Sequence, residues 1–124
     1  METINRKELS FIVASELPEI RDEIGHIRSK ENVAGVMQAV VNYMRDMARG
    51  RQIDKIVRRM KLVGWVYGRT DSAIRETISN VFVRSFNGLR NRCSNWDWTR
   101  IQQQMPSNLY SVYAVQNRVL KERV

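Results

Sequence analysis

Arg51, Lys55, Arg58 and Arg59 fall within about one-third of a helix circumference if the segment that carries them is helical. Cations held on one rigid face can follow a row of phosphates or meet a carboxylate-rich protein surface. Trp96, Trp98 and Tyr110 offer ring faces that could stack on unpaired bases. Two features weigh against that use. No cluster of Asn or Gln accompanies the cations to read base edges, and the tryptophans sit beside aliphatic residues, where they are expected to pack as core anchors. The expected partner of Arg51, Lys55, Arg58 and Arg59 is therefore an acidic protein surface, with nucleic acid as the alternative.

The remaining reactive side chains support binding rather than catalysis. His26 is the one histidine of the chain, so a two-histidine zinc pair cannot form. Cys93 is the one cysteine and lies among Arg90, Arg92 and Arg100, neighbours that would lower a thiol pKa. It has no partner at short sequence range, and a single cysteine near a loop is expected to be incidental. Glu19, Asp22 and Glu23 share a face of a short helix, but general acid–base chemistry needs such carboxylates in a cleft. Their expected state is a solvated acidic face near a helix N-terminus. No glycine-rich phosphate loop is present. The expectation is a protein without catalytic residues, cofactor or metal, and without an evident small-molecule substrate.

Charge is distributed unevenly. Residues 1–48 hold six Lys or Arg against eight Asp or Glu, whereas residues 49–124 hold fifteen against five, within a net charge of +8. A basic second half points to an acidic partner. The 124 residues and 43% hydrophobic content suit one soluble domain spanning 1–124. The first twenty residues carry charges throughout and lack the apolar core of a secretory signal. No run approaches the ~18 apolar residues of a membrane span, and the cytoplasm is the expected location.

The elements that must position these residues read as helices. Asn5 and Glu8 have capping-box spacing ahead of Leu9, Ile12 and Val13, and Pro18 divides residues 4–27 into two short helices. Val33, Val36, Met37, Val40, Val41, Met44, Met47 and Ala48 trace a helical stripe over 32–49, with Gly50 expected as a left-handed C-terminal cap. Ile53, Ile56, Val57, Met60, Val63 and Tyr67 share a face of a helix over 52–67. Thr70, Asp71 or Ser72 then caps a helix over 72–90 with Ile74, Ile78, Val81, Phe82, Phe86 and Leu89 inward. Residues 91–97 read as a loop and 97–104 as a short helix. Pro106 opens a last helix with Leu109, Val112, Tyr113, Gln116, Val119 and Leu120 on its stripe. Val40, Met44, Ile56, Met60, Val81 and Phe82 are expected in the core. Gly64 and Gly68 are explained by close helix packing and a helix stop. The fold class is all-α, with roughly five to seven helices paired as antiparallel hairpins, either stacked as a HEAT-like array or gathered in an irregular bundle.

Gly68-Arg69-Thr70-Asp71-Ser72-Ala73-Ile74-Arg75, continuing through Ile78 to Phe82 and Phe86, together with Met105-Pro106 and Leu109, resembles the turn-and-helix segments of an uncharacterised bacterial all-helical family of HEAT-like or armadillo-like architecture. The resemblance covers about residues 35–115 and is similar to that of small immunity-type proteins of bacterial toxin systems. It implies protein–protein binding and brings no catalytic residues. Arg84 stands where the resemblance leads one to expect an acidic side chain.

Overall fold

The computed structural model describes residues 3–29 and 31–122, and the side chains of the last helix up to Arg118. Among the described residues eight α-helices follow one another: α1 (Arg6–Glu16), α2 (Arg21–Gly25), α3 (Val33–Arg49), α4 (Ile53–Tyr67), α5 (Ser72–Val81), α6 (Phe86–Arg92), α7 (Asn95–Gln103) and α8 (Ser107–Glu122). Seven have seven or more residues and α2 has five. Short 3-10 turns at Pro18–Ile20 and Val83–Ser85 link α1 to α2 and α5 to α6. No strand occurs among the described residues; the one β-type contact is an isolated bridge between Ile4 and Thr70. The protein is all-α, and no described helix is long and apolar enough to cross a membrane.

Local chemistry sets the helix boundaries. Asn5 and Glu8 form the expected capping box, with the Glu8 amide donating to Asn5 Oδ1 at 2.9 Å. Asn32, Asp71 and Ser94 cap α3, α5 and α7 by accepting the amides of Gly35, Ile74 and Asp97. With Ser94 as the cap, α7 begins two residues before Asp97, and α6 runs on to Arg92. The expected loop over 91–97 therefore contracts to Cys93 and Ser94.

Helix α3 is the hub. It meets α1, α2, α4, α5 and α6, and Val33, Val36, Met37, Val40, Val41, Met44 and Ala48 are all buried along it. A stripe this wide needs cover on several sides. The result fits the irregular-bundle form of the expected fold, in which one helix serves many neighbours, rather than a linear repeat array. Helices α3 and α4 form the expected hairpin. A second nucleus joins α5, α6, α7 and α8 through aromatic edges: Phe86 lies 5.2 Å from Phe82, 6.5 Å from Trp98 and 5.8 Å from Tyr113, centroid to centroid.

Two of the expected helix readings change. The helix over 72–90 is interrupted by Val83–Ser85, whose tighter winding shifts the phase of the stripe. Val83 is consequently fully buried, while Val81 is only half-buried. Gly50 has an ordinary φ of −86° and is not the left-handed residue. That role falls to Arg51, at φ 54°. The Gln52 amide donates to Met47 O and the Arg51 amide to Ala48 O, the paired bonds of a Schellman motif displaced one residue beyond the glycine. Val119 and Leu120, expected on the α8 stripe, lie outside the described side chains.

Candidate interaction face

The four cations of the expected face do not act alike. Lys55 and Arg58 are exposed on α4. Arg59 turns inward and is 9% exposed. Its Nη2 donates to Glu19 Oε1 at 2.7 Å, and its guanidinium lies 5.4 Å from the centroid of the Tyr43 ring. Arg59 is thus a structural clamp between α4, the Pro18–Ile20 turn and α3, and it leaves the candidate face. The cause is helical phase. Arg59 is three residues beyond Ile56, four before Val63 and seven before Val66, all buried, so it falls on the apolar stripe. The same pair draws Glu19 away from the solvated acidic face assigned to Glu19, Asp22 and Glu23; Asp22 and Glu23 remain exposed.

Arg51 precedes α4 and reaches sideways to α7. Its Nε donates to Asp97 Oδ2 at 3.0 Å, with the Arg51 side chain 72% exposed and the Asp97 side chain 4% exposed. The hydrogen bond from Arg51 holds the Asp97 carboxyl below the ordinary carboxylate range, against the opposing effect of burial; the Ser94 hydroxyl and the Arg51 and Arg100 charges act with it. The Arg51 guanidinium is pushed up by the same bond.

One turn further on, Arg100 Nη2 approaches Asp54 Oδ1 at 3.4 Å. Beyond that, Arg58 and Lys61 face Gln103 and Gln104 across a shared depression floored by Val57. These successive contacts show α4 and α7 running side by side in the same direction. On the other flank of α4, Arg58, Lys61 and Trp65 border a shallow depression with Ile12 and Glu16 of α1. The face that results is a ridge of Lys55, Arg58 and Lys61 with Arg51 and Arg100 alongside. Lys61 and Arg100 are the members the spacing argument missed. Lys61 lies three residues from Arg58 on the same exposed line, a signal present in the sequence. Arg100 joins only through tertiary packing.

Both helices of this ridge carry an exposed tryptophan. Trp65 is 46% exposed, with the Arg69 guanidinium 4.4 Å from its ring centroid. Trp96, at the start of α7, is 73% exposed, contrary to its expected place in the core; the buried anchor is Trp98. The two differ because α7 packs one side only, and residues two apart on a helix point in opposing directions. Tyr110 is also partly exposed.

Residues 12–121 match the family described as a domain of unknown function, DUF7674. The chain belongs to this family. The matched span contains the whole of α4 and α7, and hence every residue of the ridge. No curated protein and no solved structure matches the chain.

His26 and Cys93 occupy unremarkable positions. His26 is exposed at the end of α2, its Nδ1 2.6 Å from Asp22 O. Cys93 is half-buried after α6. Burial first, and then the Asp97 charge, push its thiol pKa up. The lowering by Arg90, Arg92 and Arg100 that their sequence positions suggested does not arise. Among the described residues, no group of three or more His, Cys, Asp or Glu is placed to hold a metal ion.

Proposed function

We propose that this protein is a non-catalytic interaction module that binds an acidic protein surface through the α4–α7 ridge. The observation that carries the reading is the exposed row of Lys55, Arg58 and Lys61, joined from α7 by Arg100 and bordered by Trp65. Arginine and tryptophan are the side chains that most often dominate protein interfaces. Asp54, with its side chain 86% exposed within the ridge, and Glu16 at its border interrupt the cations, so the face lacks the unbroken positive track that a phosphate backbone follows. Trp65 already carries Arg69 on one ring face, which leaves less of it for base stacking. The specific form of this reading is a bacterial, cytoplasmic protein of immunity type that covers an acidic region of a toxin.

Fluorescence anisotropy with labelled poly-glutamate, and separately with a random-sequence single-stranded oligonucleotide, tests the reading. Poly-glutamate should bind, and Lys55→Glu with Arg58→Glu should weaken it by about tenfold or more. The oligonucleotide should not compete at about 150 mM salt. Tight, salt-sensitive oligonucleotide binding that the double reversal removes would transfer the face to nucleic acid. Poly-glutamate binding unaltered by the reversal would discard the face.

A further inference from the structure

We infer that the cleft enclosed by α1, α2 and α3 is a second binding site, for a small ligand with a compact apolar body and a carboxylate head. Its volume is about 220 Å³. An apolar cavity of about 150 Å³ admits benzene, so this one accepts a single ring or an alkyl chain of roughly eight carbons.

The walls show how the sequence leaves this space open. On α1, Lys7, Phe11 and Ala14 follow one another at spacings of four and three and all border the cleft. Leu9 and Val13 take the core-facing side of the same helix and are fully buried. Phe11 is consequently 73% exposed, an aromatic ring that the core does not use. Val36 of α3, fully buried, and Ile24 and Ile27 complete the apolar lining. Ala14 keeps its wall shallow. Gly25 ends α2 at the cleft, and a Cβ built on it would meet nothing within 4 Å. Neither a close contact nor a left-handed backbone requires glycine there, and the space beside it is unfilled.

Charge supplies the second part of the specificity. Lys7 and Arg21 both line the cleft, and among the described residues no Asp or Glu does. Neither cation has an ion-pair partner among the described residues. This absence of lining carboxylates occurs in the half of the chain where acidic residues outnumber basic ones. Two cations at the rim of an apolar pocket attract a ligand carboxylate, while the pocket takes the apolar body. A ligand with the same body and an ammonium head would meet like charges instead.

Isothermal titration of the full chain with octanoate, octylamine and 1-octanol tests the assignment, with melting temperature as a second readout because a ligand of the native state raises it. Octanoate should bind saturably and raise the melting temperature, whereas octylamine should do neither. Gly25→Phe, which places a ring in the open space, should abolish octanoate binding. Lys7→Glu with Arg21→Glu should weaken octanoate by about tenfold or more and leave 1-octanol unchanged. Lys55→Glu with Arg58→Glu should leave octanoate binding intact, which separates this site from the α4–α7 ridge. Absence of saturable octanoate binding up to millimolar concentration would overturn the inference. So would equal binding by octanoate and octylamine, or full octanoate binding by a folded Gly25→Phe protein. If Gly25→Phe does not fold, the exposed Lys7 and Arg21 reversal decides alone, and unchanged octanoate affinity in it would be fatal.

Discussion

Arg59–Glu19 and Arg51–Asp97 are both arginine–carboxylate pairs anchored near α4, yet their burial is inverted. In the first, the arginine side chain is 11% exposed and the carboxylate 40%. In the second, the arginine is 72% exposed and the carboxylate 4%. A charge held away from water is stable only while its partner remains. The two pairs therefore differ in which member is indispensable. Glu19 keeps a cation tolerable inside the bundle, whereas Arg51 serves a carboxylate and still leaves most of its surface exposed. Buried arginine knits the fold together, whereas exposed arginine is left facing solvent.

The largest expected effect comes from stranding the buried cation. Glu19→Ala should lower unfolding free energy by roughly 2–3 kcal/mol in urea titration, less than for a fully enclosed pair because water reaches the carboxylate side. Arg59→Met, which removes the charge and keeps the packing, should cost distinctly less. Equal losses would break the contrast, since a cation stranded without Glu19 would then cost no more than the absence of the charge.

Asp97→Asn should have a smaller effect, and one that depends on pH. The Asp97 carboxyl is held below its ordinary range in the folded protein by Arg51, while the unfolded chain titrates near about 3.9. Its stabilising contribution is thus complete above the unfolded value and fades as pH falls through the folded one. The melting-temperature advantage of the unsubstituted protein over Asp97→Asn should be constant near neutrality and shrink in acid. An advantage that grew on acidification would contradict the pairing.

At Arg51, backbone and charge can be separated. Arg51→Gly and Arg51→Ala both lose the Asp97 bond, but only glycine adopts the left-handed φ of 54° without steric penalty. Arg51→Gly should therefore melt above Arg51→Ala, and the reverse order would remove strain from the account. The smallest effect belongs to the ridge itself. Lys55→Glu with Arg58→Glu should change unfolding free energy by no more than about 0.5 kcal/mol, measured by urea titration. A larger loss would show that these side chains brace the fold as Arg59 does.

Much of the architecture was legible because apolar spacing is a local signal. Helix α3 follows from its valines and methionines alone, and the Asn5–Glu8 capping box from two residues. What escaped depended on a single residue of phase or on partners distant in the chain. Arg59 was grouped with Arg58 because both are cationic. Val66, seven residues on and buried, extends the apolar stripe far enough to include Arg59 and was the overlooked signal. The exchange of Val81 for Val83 has its origin in a three-residue 3-10 turn that no residue in the stretch announces. Gly50 drew the left-handed assignment by type, while the chain placed it on Arg51, beside Asp97. Of the candidate face, the exposed positions of Lys55 and Arg58 were readable, and that of Lys61 could have been. Arg100 could not, since it reaches the ridge only after α7 lies along α4.

The bridge between Ile4 and Thr70 has a consequence for the order in which the molecule assembles and opens. The Ile4 amide donates to Arg69 O at 2.8 Å, and the Thr70 hydroxyl donates to Ile4 O at 2.8 Å. These bonds join residues 65 and 66 positions apart, whereas the α3–α4 hairpin needs only a tight local turn. Loop-closure entropy places such a distant contact after the hairpin has formed. The Ile4 amide is accordingly a sentinel for the docking of α1. Its hydrogen–deuterium exchange would register detachment of α1 from the bundle while amides in the middle of α3 stayed protected until global unfolding. Because α1 supplies one wall of the cleft, a ligand seated there would slow exchange at Ile4 without touching it.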